Sequence, residues 1–148
     1  MADNFLLNSL FDEREERRPL SVSELTWQVK GELERQFASV WVEGEIVNFT
    51  AASSGHWYFN LNDGAAQIRG VCFRTSNLRI KFKPFDGVQV RVRGRLTVYE
   101  KRGEYQLIVE SLEPAGAGAL MAAFEQIKAK LDREGLFAAE RKRTLQID

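Results

Sequence analysis

Apolar residues recur every fourth position in the first part of the chain and every second position from residue 39 onward. In "PLSVSELTWQVKGELERQF", Leu25, Val29, Leu33 and Phe37 form one stripe at helical spacing. Ser21 and Glu24 stand at capping-box spacing, and Leu20 and Leu25 at the positions of a hydrophobic staple. The pattern predicts a helix over 20–38, with charged Lys30, Glu34 and Arg35 pointing away from the stripe. Gly31 weakens that helix without breaking the pattern.

The two-residue period then predicts strands. "VWVEGEIVNF" sets Val40, Val42, Gly44 and Ile46 against Trp41, Glu43, Glu45 and Val47. "HWYFNLND" sets Phe59 and Leu61 against Tyr58 and Asn60, and "AQIRGVCF" sets Ile68, Gly70 and Cys72 against Arg69, Val71 and Phe73. In "VQVRVRGRLTVYE", Val88, Val90, Val92, Leu96 and Val98 alternate with Gln89, Arg91, Arg93, Arg95 and Thr97. The charged tip "EKRG" returns the chain into "EYQLIVESL". Such alternation marks half-buried antiparallel strands. Turn signals fall at "ASSG", "NDGA" and "KRG", with a longer break at "TSNLRIKFKPFDG".

Five strands left as an open sheet would expose edges. Curled into an antiparallel Greek-key barrel they make the oligonucleotide/oligosaccharide-binding (OB) fold, so the predicted class is mainly β, with one helix before the barrel and one after. Gly44, Gly70 and Gly94 fall on the predicted inner faces, where tight curvature needs small residues. The barrel is expected over 39–114. After Pro114, "AGAGAL" reads as a hinge-like linker into a helix whose face is Leu120, Phe124, Ile127 and Leu131, with a stop at Gly135 and Leu136. Residues 1–19, with Phe5, Leu6, Leu10, Phe11 and the run "DEREERR", read as a flexible tail.

Composition changes this picture little. The chain has 148 residues, 44% hydrophobic and 28% charged, with 21 basic and 21 acidic side chains. These are values of a single globular domain, not of a disordered or uniformly basic one. Cys72 is the one cysteine, which excludes an internal disulfide and a cysteine-rich zinc site. No apolar run approaches the roughly 18 residues of a membrane span. Asp3 ahead of the short apolar start argues against a secretory leader. A cytoplasmic protein with no membrane partner is expected.

Signals for chemistry are poor. His56 is the only histidine, with no metal partner and no nucleophile motif around it, and Asp63 begins a turn. Glu43 and Glu45 share a strand face and suit either a divalent ion or solvent. "AGAGAL" lacks the lysine and the spacing of a phosphate loop. No catalytic residue, metal or cofactor is assigned.

Signals for binding are better. Between 69 and 102, Arg69, Arg74, Arg79, Lys81, Lys83, Arg91, Arg93, Arg95, Lys101 and Arg102 face only Asp86 and Glu100. Positive strands with exposed aromatics suit single-stranded nucleic acid, because cations neutralise phosphates while rings stack on bases. The strand arginines equally suit a solvated face that resists edge pairing, and Trp41 and Trp57 equally suit a cover over the end of the barrel. The candidate interface is His56, Trp57, Tyr58, Asn60, Arg69, Phe73, Arg74, Arg95, Lys101 and Arg102. Tyr58 and Phe73 are expected to stack, and Arg69, Arg74, Arg95, Lys101 and Arg102 to meet phosphates. An anticodon-binding domain and a protein-interaction module remain as alternatives.

"PLSVSELTWQVKGELERQFASVWVEGEIVNF", "SGHWYFNLND", "YEKRGEYQLIVESLEPAGAGAL" and "LDREGLFAAERKR", in this order and spacing, closely resemble the N-terminal region of the exodeoxyribonuclease VII large subunit. The resemblance covers nearly all of the chain after residue 19. It implies a bacterial cytoplasmic nuclease that degrades single-stranded DNA to oligonucleotides, built from one large and several small subunits. The OB-like domain would bind the strand, a following domain would hydrolyse it, and small subunits would attach through the C-terminal part. After "RKR" that family usually continues with a Pro-Leu-Pro type segment, whereas Thr144 and Leu145 follow here. This places 115–148 as a linker and helix leading to a catalytic domain absent from the chain, so that the fragment binds without cutting.

Overall fold

The computed structural model describes residues 18–146, with side chains as far as residue 135. The tail assigned to 1–19 lies almost entirely outside that range. Helix α1 spans Val22–Gln36. Ser21 caps it as the sequence predicts, its hydroxyl accepting from the Glu24 amide at 3.1 Å. The Glu24 carboxylate turns instead to Arg18, 3.0 Å away.

The barrel comprises β1 (Val40–Ala51), β2 (Trp57–Asn62), β3 (Gln67–Cys72), β4 (Gln89–Tyr99) and β5 (Glu104–Pro114). The strands close in the order β1-β2-β3-β5-β4. Strand β1 serves two neighbours: Val40–Glu45 pair with β4, and its second half pairs with β2. Within the pairing with β2 the register shifts between Val47 and Thr50, and Asn48 there takes φ 55°. Asparagine tolerates this left-handed conformation better than most residues. The Phe49 amide, turned out of the ladder, donates to Asp86 at 2.7 Å.

One pairing departs from the antiparallel expectation. Arg69–Val71 of β3 run parallel to Gln106–Ile108 of β5. The reason is topological: five is odd, so strand direction cannot alternate all the way round a closed ring.

Inside lie Ile46, Phe59, Leu61, Cys72, Val90, Val92, Leu107 and Val109. These are the inward set of the two-residue period. The small inner residues are required by close approach. A Cβ on Gly70 would stand 2.6 Å from the Phe59 ring, and one on Gly94 would collide with the Ile108 carbonyl.

Neither flanking helix buries its apolar stripe. Helix α1 lies on β4 through polar contacts: Lys30 to Glu100 at 2.8 Å, Thr97 to Glu34 at 3.2 Å, and the Leu96 amide to the Phe37 carbonyl at 3.0 Å. Leu25 and Val29 of the predicted stripe stay about half exposed. A short helix α2 (Arg74–Asn77) follows β3, within the stretch read as an irregular break. Helix α3 begins at Gly116, so the expected linker is already helical, and it runs through Gly135 to Gln146 without the predicted stop. A glycine costs a helix only about 1 kcal/mol, and alanines and charged residues around it favour continuation. Helix α3 meets the barrel through buried Ala119 and Ala123 and through Gln126, whose amide bonds both the amide and the carbonyl of Lys83 at 3.0 Å. Leu120, Phe124, Ile127 and Leu131 are exposed. Small side chains let a helix come close to a sheet, and that contact outcompetes the larger stripe on its flank. Among the described residues no helix is long and apolar enough to cross a membrane.

Candidate nucleic-acid interface

On β2 the alternation sends Phe59 and Leu61 inward and Tyr58 and Asn60 outward. Tyr58 lies opposite Val71 of β3, and Asn60 opposite Arg69. On β5, Gln106 lies beside Arg69. Except for Asn60, these outward side chains and the β4–β5 hairpin enclose a cleft of about 440 Å³, lined by Tyr58, Arg69, Val71, Phe73, Tyr99, Arg102, Glu104 and Gln106. Buried Val71 makes its floor. The volume lies within the range of ligand pockets. The Arg69 guanidinium sits over the Tyr58 ring, 5.7 Å from its centroid. Such a pair offers a planar cation and a π-face together.

The loop that leads into β2 is held from two sides. His56 Nδ1 accepts from the Arg74 amide at 3.0 Å, which places its ring proton on Nε2, and the ring meets Phe73 edge-on at 5.3 Å. Asn77, 8% exposed, donates to the carbonyls of Gly55 at 2.7 Å and Cys72 at 3.3 Å. Together these contacts fix the turn between β1 and β2 against the end of β3. Asp63 shapes the next turn, accepting from the amides of Ala66 and Ala65, and these bonds hold its carboxyl below the usual range.

The predicted interface therefore divides. Tyr58, Arg69, Phe73 and Arg102 meet in one cleft, with His56 packed behind Phe73. Asn60 shares the outward face next to Arg69 but does not line the cleft. Trp57 does not join them. It is on the inward set with Phe59, packs against the core, and meets Phe49 at 5.6 Å. Arg74 lies across Gly55 of the β1–β2 turn, and Lys101 is exposed at the hairpin tip.

Arg95 lies outside the cleft on β4 and faces Glu110 at 4.0 Å. Arg91 is likewise bonded to Glu43 at 3.0 Å, while Arg93 stacks on Trp41 at 4.8 Å. Their carboxylate partners come from β1 and β5, outside the basic stretch of sequence, so that stretch is partly neutralised in space. Sequence reasoning missed Val71, Tyr99, Glu104 and Gln106. Alternation along "YEKRGEYQ" puts Glu104 and Gln106 on one face, a signal that the stronger charges of the tip obscured.

A closed five-stranded barrel with an aromatic and basic cleft across β2, β3 and the β4–β5 hairpin defines a nucleic-acid-binding OB module. The chain belongs to the OB-fold nucleic acid binding domain family, whose model matches residues 20–113. It is 58% identical over 130 residues to an exodeoxyribonuclease 7 large subunit of Geobacter sulfurreducens, which covers 88% of this chain and 29% of the relative. A second, from Koribacter versatilis, is 54% identical over the same shares. The chain thus spans under a third of the length of these curated relatives. Among solved structures it is similar to a replication protein A heterotrimer bound to ssDNA, with TM-score 0.44 and 16% identity over 64% of this chain and 72% of that one.

Proposed function

We propose that this chain is the strand-binding portion of an exodeoxyribonuclease VII large subunit, which holds single-stranded DNA for hydrolysis elsewhere in a longer protein. The observation that carries the reading is the cleft itself, where Arg69 lies over Tyr58 above the apolar floor of Val71. A base laid against an aromatic ring contributes about 1–3 kcal/mol whatever its identity, and adjacent arginines meet the backbone. A duplex keeps its bases stacked and withholds those faces. The likeness to the large-subunit relatives supplies the nuclease context. Small subunits would attach outside this region, and the buried, unpaired Cys72 suits a reducing cytoplasm.

Fluorescence anisotropy on labelled oligonucleotides tests the binding. Single strands should bind in a salt-sensitive way and well ahead of duplex, and unlabelled tRNA should compete no better than single-stranded DNA. Equal affinity for duplex, or tRNA far outcompeting DNA, defeats the reading. Incubation of end-labelled strands with this chain, with and without magnesium, should leave them intact.

A further inference from the structure

The cleft contains a carboxylate that phosphate binding does not explain. Glu104 and Gln106 lie two residues apart on one face of β5, both lining the cleft with Arg69 and Arg102. Glu43 and Glu110 on the barrel strands are paired with Arg91 and Arg95, and Glu45 and Glu113 stand, like them, outside the cleft, so Glu104 is the one carboxylate that lines it. Glu104 has no ion-pair partner among the described residues, although Arg69 and Arg102 line the same space. A negative charge beside a nucleic-acid backbone repels it. Its productive position is against the edge of a base.

The strand order supplies that position. Tyr58 on β2 and Gln106 on β5 stand on either side of β3, two strand spacings apart and offset by two residues, since Tyr58 is level with Val71 and Ile108 and Gln106 with Arg69; the separation is about 12 Å. A base against Tyr58 that crosses β3 obliquely toward the hairpin, past Val71 and Arg69, would direct its far edge to Gln106, with Glu104 next on the same face of the cleft. We infer that Glu104, with Gln106, reads the edge of a base in this cleft, favouring bases that present amino donors, guanine foremost, over thymine. This rests on the single-strand reading above, since only an unpaired base exposes that edge.

The donor patterns explain the order. Unpaired guanine presents a ring N–H and an amino group side by side, a match for the two oxygens of one carboxylate. Cytosine presents one amino group, and carboxylates accept from it in known readout. Thymine presents a single N–H between two carbonyl oxygens, both of which a carboxylate repels.

The test is anisotropy of this chain with dT strands of about 15 nucleotides, near the upper site size of one such fold, against strands carrying one central dG. The guanine strand should bind at least about fivefold tighter. In Glu104→Gln the amide offers one acceptor and one donor, a match for thymine, so the preference should fall within about twofold or reverse. An unchanged melting curve confirms that the variant is folded. Equal wild-type affinity for both strands overturns the inference while leaving strand binding intact. A preference that survives in Glu104→Gln overturns the assignment to Glu104. Failure to bind any strand removes the single-strand reading beneath it.

Discussion

The side-chain amide of Asn77 reaches back 22 residues in sequence to the carbonyl of Gly55, 2.7 Å away. This half-buried bond joins helix α2 to the turn that carries His56 and leads through Trp57 to Tyr58. Asn77→Ala leaves two carbonyls without this donor, at a cost of about 1–3 kcal/mol in urea unfolding. It should also weaken DNA binding more than an equally destabilising change in the far wall of the barrel, because the turn beside the cleft loses its anchor.

The cleft residues should separate by kind of loss. Tyr58→Ala removes a stacking face and should weaken single-strand binding about thirtyfold, the middle of the range for one base. Arg102→Ala should lower affinity and also flatten the salt dependence by about one unit of slope, the signature of a phosphate contact. Trp41→Ala, on the opposite wall, should leave both quantities unchanged. Titrations at several salt concentrations distinguish these outcomes.

Two glycines predict opposite responses to the same methyl group. Gly94→Ala drives a Cβ into the Ile108 backbone and should cost about 1–3 kcal/mol or more, since backbone cannot swing aside. Gly118→Ala meets nothing within 4 Å on helix α3 and should be neutral, or stabilising by up to about 1 kcal/mol. Thermal melts of the pair decide the matter.

Burial pushes the Cys72 thiol up to about 11. In the native protein near pH 8 it is therefore both protonated and inaccessible, and iodoacetamide should label it only as fast as the barrel opens. Rapid labelling without denaturant would show that the inner face of β3 is open to solvent.

The anchor of helix α1 should respond to pH at both ends. The hydrogen bond and charge of Lys30 hold the Glu100 carboxyl below its ordinary 4.5, and Glu100 raises Lys30 above 10.5. A depressed carboxyl stabilises above its unfolded value and loses that contribution as pH falls through the folded one. A raised amine stabilises below its unfolded value and loses it as pH rises through the folded one. The helix should be held best between these limits. Trp27 fluorescence, in a background where Trp41 and Trp57 are phenylalanine, should change at both extremes, and Glu100→Gln should abolish the acid transition.

The barrel was legible because its signal is local and repeated. Val88, Val90 and Val92 alternate with polar neighbours, and each is buried. Gly70 and Gly94 fell on the inner face because the period counted them there. What could not be read depended on partners distant in sequence. Nothing near Arg95 announces Glu110, and nothing near Leu120 shows that Ala119 and Ala123 will take the contact. The site was half legible for the same reason. Tyr58, Arg69 and Phe73 come from adjacent strands, where a period of two suffices. Glu104 and Gln106 join them only through the parallel pairing of β3 with β5.

That parallel pairing is the seam of the ring, and the register holds it over only Arg69–Val71 and Gln106–Ile108. It joins segments distant in the chain over three residue pairs, fewer than any other strand pairing of the ring. The cleft lies across it, with Tyr58 and Arg69 on one margin and Glu104 and Gln106 on the other. A strand seated there acts as a staple, and its binding energy goes into holding the ring shut. Bound DNA should accordingly raise the melting temperature by mass action and slow amide exchange most along the two margins of the seam.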